Sequence, residues 1–136
     1  MPGTPPLILA VVTGNKAEFE QLIEGGVDVT SMNEKEETAL HWAAAFRNVN
    51  WIKRLLIVGA NIEATDVDGM TPLGFAVYYG NAKAVEHLCD RGANISHEYA
   101  FESNVEQAKQ RAILRLLEQV RYTRRMMRIW YRLNGF

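Results

Sequence analysis

Disulfide chemistry, membrane spans and catalytic constellations are all missing from this 136-residue sequence. Cys89 is the single cysteine, so no internal disulfide can form, and a reducing, cytoplasmic setting is favoured over secretion. No apolar run approaches the ~20 residues that cross a bilayer. Residues 7–12 are apolar, but the run is short and no basic residue precedes it, which excludes a signal peptide. A soluble chain is expected. No nucleophile–base pair, phosphate-cradling glycine loop or paired carboxylates can be assembled, so an enzyme is not expected. His87-x-Cys89, with His97 further on, offers soft ligands on paper. The register described below makes Cys89 a core position instead, so no metal is implied there. Asp66-x-Asp68-Gly69 opens like a calcium loop, but Val77 stands where the bidentate glutamate is required. No cofactor is expected.

The net charge of −1 hides a division. Residues 1–103 carry 7 basic and 14 acidic side chains, whereas residues 104–136 carry 8 basic and 2 acidic ones. An asymmetry of that size marks a second surface with different work to do.

What is present is repetition. Residues 71–93, TPLGFAVYYGNAKAVEHLCDRGA, fall on residues 38–60 and again on residues 5–27 at a strict period of 33. Leu7, Leu40 and Leu73 align, as do Ala10, Ala43 and Ala76, and Asn15, Asn48 and Asn81. Leu22, Leu55 and Leu88 follow, then Gly26, Gly59 and Gly92. Each unit reads as two short helices. Pro5–Pro6 starts the first, since first-turn N–H groups have no helical acceptor. Phe19, Leu22 and Ile23 make the inner stripe of one outer helix; Trp51, Ile52, Leu55 and Leu56 make that of the next. Ala43 and Ala44 let the helix pairs approach closely. Val11 and Val12 are expected near the open face of the first unit.

This period, with the opening Thr71-Pro72-Leu73, resembles the ankyrin repeat. The resemblance covers about residues 5–96: it is strong in the third unit, fair in the second and reduced in the first. It implies an all-α solenoid of three stacked helix-turn-helix units, with repeats at about 5–32, 33–65 and 66–98 inside a unit spanning 1–102. It also implies a β-turn finger at residues 28–37, and a ring of His41 bonded to a finger backbone. Gly74 departs from the pattern where the family usually has histidine, as at His41, and two residues of the second unit depart at glycine positions. Arg47 stands where Gly14 and Gly80 stand, and Glu36 where Gly69 stands. With the backbone retained, each has φ > 0 at a cost of roughly 1 kcal/mol; otherwise the turn is reshaped.

The family binds proteins through finger tips and exposed inner-helix positions. By alignment these are Met32, Glu34, Lys35, Glu37, Ala45 and Phe46, then Thr65, Val67, Asp68, Met70, Tyr78 and Tyr79. A Met/Phe/Tyr set with an acidic rim has the composition of interface hot spots. Phe46 and Tyr79 can equally pack on the tail or on an adjacent repeat.

After Ile95 the period is lost. Residues 103–106 read as a capping box, and Gly and Pro are absent from 104 to 133, which predicts one basic amphipathic helix within residues 103–136. Ile113, Leu116, Leu117 and Val120 form a stripe suited to closing the last repeat. Beyond it, Arg121, Arg124, Arg125, Arg128 and Arg132 gather on one side. Met126, Ile129, Trp130 and Leu133, with Tyr122, Met127 and Tyr131, spread over the rest. Such a surface suits a protein contact, including a homodimer. A tail folded back onto the acidic repeats ranks second, and nucleic acid or an anionic membrane third. The expected function is a protein-binding adaptor.

Overall fold

The computed structural model describes residues 3–46, 48–95 and 104–135, with side chains of the last segment from residue 115 onward. Its helices are α1 Pro6–Thr13, α2 Lys16–Glu24, α3 Ala39–Ala45, α4 Val49–Ile57, α5 Pro72–Tyr78, α6 Ala82–Asp90 and α7 Asn104–Leu133. No strand occurs among the described residues. Helices α1, α3 and α5 pack side by side as an inner layer, and α2, α4 and α6 back them as an outer layer. This is the stack that the period of 33 requires.

The same local chemistry ends each outer helix. The N–H of Ala93 reaches the Leu88 carbonyl at 3.0 Å and that of Gly92 reaches Cys89 at 3.0 Å, with Gly92 left-handed at φ 95°. Val27 and Ala60 close α2 and α4 with the same bonds, at 3.1 and 2.9 Å. In each case carbonyls that the helix end would orphan find partners.

Between the layers lies one continuous core. Leu7, Leu40 and Leu73 are buried together, as are Ala10, Ala43 and Ala76. Each large side chain so buried contributes roughly 1.5–3 kcal/mol. Phe19 of α2 stacks on Trp51 of α4 with ring centroids 4.9 Å apart, and Arg54 meets Glu20 at 2.7 Å above them. Val11, expected near the open face, is buried at 2 % exposure, while Val12 is exposed.

The second repeat resolves its missing glycines in different ways. Glu36 adopts φ 59°, the left-handed conformation that Gly69 has at φ 77°, so the finger geometry is kept and the side chain bears the strain. At the end of α3 the backbone is reshaped: Phe46 leaves the helix extended at φ −94°, ψ 153°. Arg47 itself lies outside the described residues. The carbonyls that this exit exposes are taken up by Asn81, whose Nδ2 donates to Ala44 at 3.0 Å and to Phe46 at 2.7 Å. One buried amide thus ties repeat three to the irregular turn of repeat two.

Helix α7 packs against α5 and α6, where a fourth repeat would sit. Leu117 is buried and Leu116 and Val120 are partly buried against the core. The side chain of Ile113 and the start of the expected capping box lie outside the described residues. At 30 residues the helix is about 45 Å long, against about 14 Å for a nine-residue outer helix. It runs unbroken, so the fold-back of a kinked tail does not occur, and the described residues beyond Val120 are exposed apart from the partly buried Arg124.

Candidate functional site

The inner layer and the fingers build a concave face. Each finger is pinned by one side chain. The Asp66 Oδ1 accepts from the N–H groups of Asp68 and Met70 at 2.9 and 2.8 Å, and the Asn33 Oδ1 accepts from Lys35 and Glu37 at 3.0 Å each. Asp66 therefore serves its own turn. The fingers are also joined to each other, because the Val67 N–H donates to the Lys35 carbonyl at 3.0 Å. Among the described residues no cluster of three or more His, Cys, Asp or Glu could hold a metal ion.

His41 links finger to helix. Its Nδ1 accepts from the Thr38 N–H at 3.0 Å and its Nε2 lies 2.9 Å from the Met70 carbonyl. The amide can only donate and the carbonyl can only accept, so the ring is neutral with its hydrogen on Nε2. Burial pushes its pKa below the ordinary histidine value, against the opposing bond to Met70 and the charges of Asp66 and Glu37.

On this frame sits an aromatic cluster. Trp42 stacks on Phe46 with centroids 6.1 Å apart, meets Phe75 edge-on at 5.7 Å and lies 6.3 Å from Tyr79. Tyr78 meets Tyr79 edge-on at 5.1 Å. Phe46, Tyr78 and Tyr79 remain 39 %, 52 % and 48 % exposed, a large apolar surface held open to solvent. Burial, with Tyr78 and Glu37 nearby, raises the Tyr79 pKa, so its hydroxyl stays a hydrogen-bond donor at neutral pH. Beside the cluster runs a trough of about 430 Å³ between α1 and the first finger, lined by Ile8, Val12, Glu34, Lys35, Glu37 and Trp42 among others.

The positions expected at this face divide by environment. Met32, Phe46, Val67, Tyr78 and Tyr79 are exposed apolar residues, and Glu34 and Asp68 are exposed acids at the finger tips. Met70 is partly buried against the core. Glu37 is buried at 8 % exposure, and its Oε2 accepts from Asn33 Nδ2 at 2.7 Å and from Trp42 Nε1 at 3.1 Å. It therefore holds the tryptophan in place and presents little to a partner. Trp42 was missed in the sequence. Its place in register with Leu9 and Phe75 was the signal, since that column runs along the concave side of the inner layer.

Along α7, Arg121, Arg125, Met126, Arg128, Ile129, Trp130 and Leu133 are exposed, and Arg124 is partly buried. At about 100° per residue, Tyr122, Met126, Ile129, Trp130 and Leu133 share one stripe. That stripe points about 150° away from the side on which Leu117 and Val120 dock. Among the described residues no helix is long and apolar enough to cross a membrane.

The match to known sequences agrees with this architecture. Residues 4–99 match the family described as ankyrin repeats (3 copies). The ankyrin repeat domain-containing protein SAT10 of Stachybotrys chartarum is 30% identical over 89 residues, 65% of this chain and 5% of that protein. The human neurogenic locus notch homolog protein 1 is 40% identical over 74 residues, 54% of this chain and 3% of its own length. The glycerophosphocholine phosphodiesterase gde1 of Schizosaccharomyces pombe is 32% identical over 120 residues, 86% of this chain and 11% of that enzyme. The chain thus spans about a tenth or less of these relatives.

Proposed function

The chain belongs to the ankyrin-repeat family, whose repeats are generally protein-interaction modules, and from that premise we propose that it is a non-catalytic adaptor whose concave face grips a segment of another protein. The observation that carries the reading is the exposed cluster of Phe46, Tyr78 and Tyr79 around a Trp42 fixed from below by Glu37. Rigid aromatic side chains give large contact area at little entropic cost, and they dominate hot spots. Glu34 and Asp68 at the finger tips make the rim acidic. A partner segment combining large apolar residues with Lys or Arg fits both features.

Display of random peptides against the full chain tests this. Selected sequences are expected to pair apolar anchors with basic residues, and the double variant Phe46→Ser/Tyr79→Ser to bind them about tenfold or more weakly. Peptides that bind both chains alike, with circular dichroism unchanged, would remove this face from the proposal.

The distal half of α7 is a second contact in the same reading. Met126, Ile129, Trp130 and Leu133 recur at i, i+3, i+4 and i+7 on the stripe turned away from the repeats. That spacing suits a groove on a second protein or the same stripe on a second copy.

A further inference from the structure

A cleft of about 800 Å³ opens where α7 passes the end of the third repeat, and five arginines line it: Arg121, Arg124, Arg125, Arg128 and Arg132. Its other wall is residues 92–95, and no carboxylate lines it among the described residues. We propose that this cleft binds a compact polyanion carrying several phosphate groups. The proposal is independent of the concave face.

The arginines stand at i, i+3, i+4, i+7 and i+11, so their guanidinium groups share one face along about 16 Å of helix axis. Like charges at such spacings repel, and the unliganded helix keeps that repulsion. Arg132 in the last turn is favoured by the helix dipole, but the effect fades within one turn and does not reach Arg121 or Arg124. Among the described residues the one salt bridge is Arg54–Glu20, remote from the cleft, so no described carboxylate neutralises these five. The described part of the acidic repeat body does not supply the counter-charge: of the five, Arg124 bonds to the described repeats, and it does so through Nη1 to the Ala93 carbonyl at 3.1 Å. That bond ties α7 to the turn that follows α6, one edge of the cleft.

Recognition falls chiefly to the guanidinium groups. The N–H groups of Gly92, Ala93 and Asn94 are already bonded, to Cys89, Leu88 and the Glu63 carboxylate. Planar guanidinium groups bind phosphate oxygens in pairs, and several converge here in a concave site of small-molecule size. A single phosphate would leave most of them unpaired. An extended strand would follow the helix and leave the wall at residues 92–95 unused. The fitting shape is compact, whether as a free polyphosphorylated metabolite or as the headgroup of a polyphosphorylated lipid.

The test is calorimetry of the full chain with inositol hexakisphosphate at low salt. One-to-one binding is expected, weakened about a hundredfold in Arg125→Gln/Arg128→Gln, because charge-assisted hydrogen bonds are worth about tenfold or more each. Lys83→Gln, which removes a surface charge outside the cleft, is expected to bind as wild type. Circular dichroism of each variant reports whether the fold is retained. Flotation with phosphatidylcholine vesicles containing a polyphosphoinositide identifies the lipid source, and soluble binding without flotation identifies the free one. Absence of hexakisphosphate binding, an equal loss in Lys83→Gln, or unchanged binding in the double arginine variant would overturn the proposal. So would equal flotation with phosphatidylserine at matched charge, or tighter binding of a single-stranded oligonucleotide than of hexakisphosphate.

Discussion

The Nε2–H of His41 and the backbone carbonyl of Met70, 2.9 Å apart, join an inner helix of the second repeat to the finger of the third. Because Met70 is also held by Asp66 through its N–H at 2.8 Å, the finger of repeat three cannot move without straining α3. The finger tips and the aromatic face are therefore one rigid surface, and rigidity at a binding face reduces the entropy lost on association.

His41→Phe is expected to destabilise the fold by about 1–3 kcal/mol, since it orphans the Thr38 amide and removes one of two donors from the Met70 carbonyl, which keeps the Asp66 N–H at 3.0 Å. The pH dependence follows from the lowered pKa. The folded state prefers the neutral ring, so its contribution is full above the unfolded value of about 6.5 and is lost as pH falls through the folded one. His87, whose pKa is lowered by burial and then by Lys53 and Arg91, acts with the same sign. Urea unfolding at pH 7 and pH 5 should show wild type losing more stability than His41→Phe. A steeper loss in the variant would contradict the assignment.

Glu36→Gly is expected to stabilise by about 0.5–1 kcal/mol. Glu36 is the non-glycine residue with positive φ among those described, and glycine adopts that conformation freely. The gain is moderated because glycine also frees the unfolded chain. The urea midpoint should rise at unchanged slope; a fall would mean that the carboxylate does more than tolerate its backbone.

Cys89 should resist thiol reagents in the folded protein. Burial pushes its pKa up to about 11, outweighing nearby Arg124, so the thiolate is scarce and the sulfur inaccessible. Labelling should follow unfolding by denaturant. Rapid modification of the native chain would place Cys89 at the surface.

The repeats were legible because translational stacking imposes one environment on every thirty-third position, and the columns at Leu40, Ala43 and Gly59 report it directly. Glu36 was legible for the same reason: a glycine column with one exception forces either strain or reshaping. The column at Arg47 could not say which, because the reshaping seen at Phe46 depended on whether Asn81, one repeat later, could donate to the freed carbonyls. Glu37 reads as a rim acid in the alignment, yet the indole N–H of Trp42 draws it inward. The arginine cleft was half legible. Periodicity gathered the five side chains on one face, but the opposing wall at residues 92–95 comes from how α7 docks, which no spacing within the helix encodes.

Docking of α7 rests on Leu117, and Leu117→Ala is expected to cost about 2–4 kcal/mol. Ending the chain after Val120 should cost only about 1 kcal/mol, the worth of the Arg124–Ala93 bond, because the described residues beyond are otherwise exposed. Chemical denaturation of both chains separates lid from arm. Equal losses would mean that the overhang is part of the folded core.

Salt separates the two uses of the arm. The apolar stripe of Met126, Ile129, Trp130 and Leu133 covers about two helical turns, so self-pairing through it buries little area and is expected to be weak. Two such arms also bring ten arginines together, and their repulsion opposes association at low ionic strength. Raising salt screens that repulsion over about 10 Å at 0.1 M and leaves the apolar contact intact. Solution mass of the full chain should therefore rise with salt and concentration, while Ile129→Ser/Trp130→Ser and a chain ending at Val120 stay monomeric. A phosphate-bearing ligand in the arginine cleft should show the reverse, weakening steeply as salt rises. A full chain that remains monomeric at every salt and concentration would leave the stripe to a different protein and remove the homodimer from the proposal.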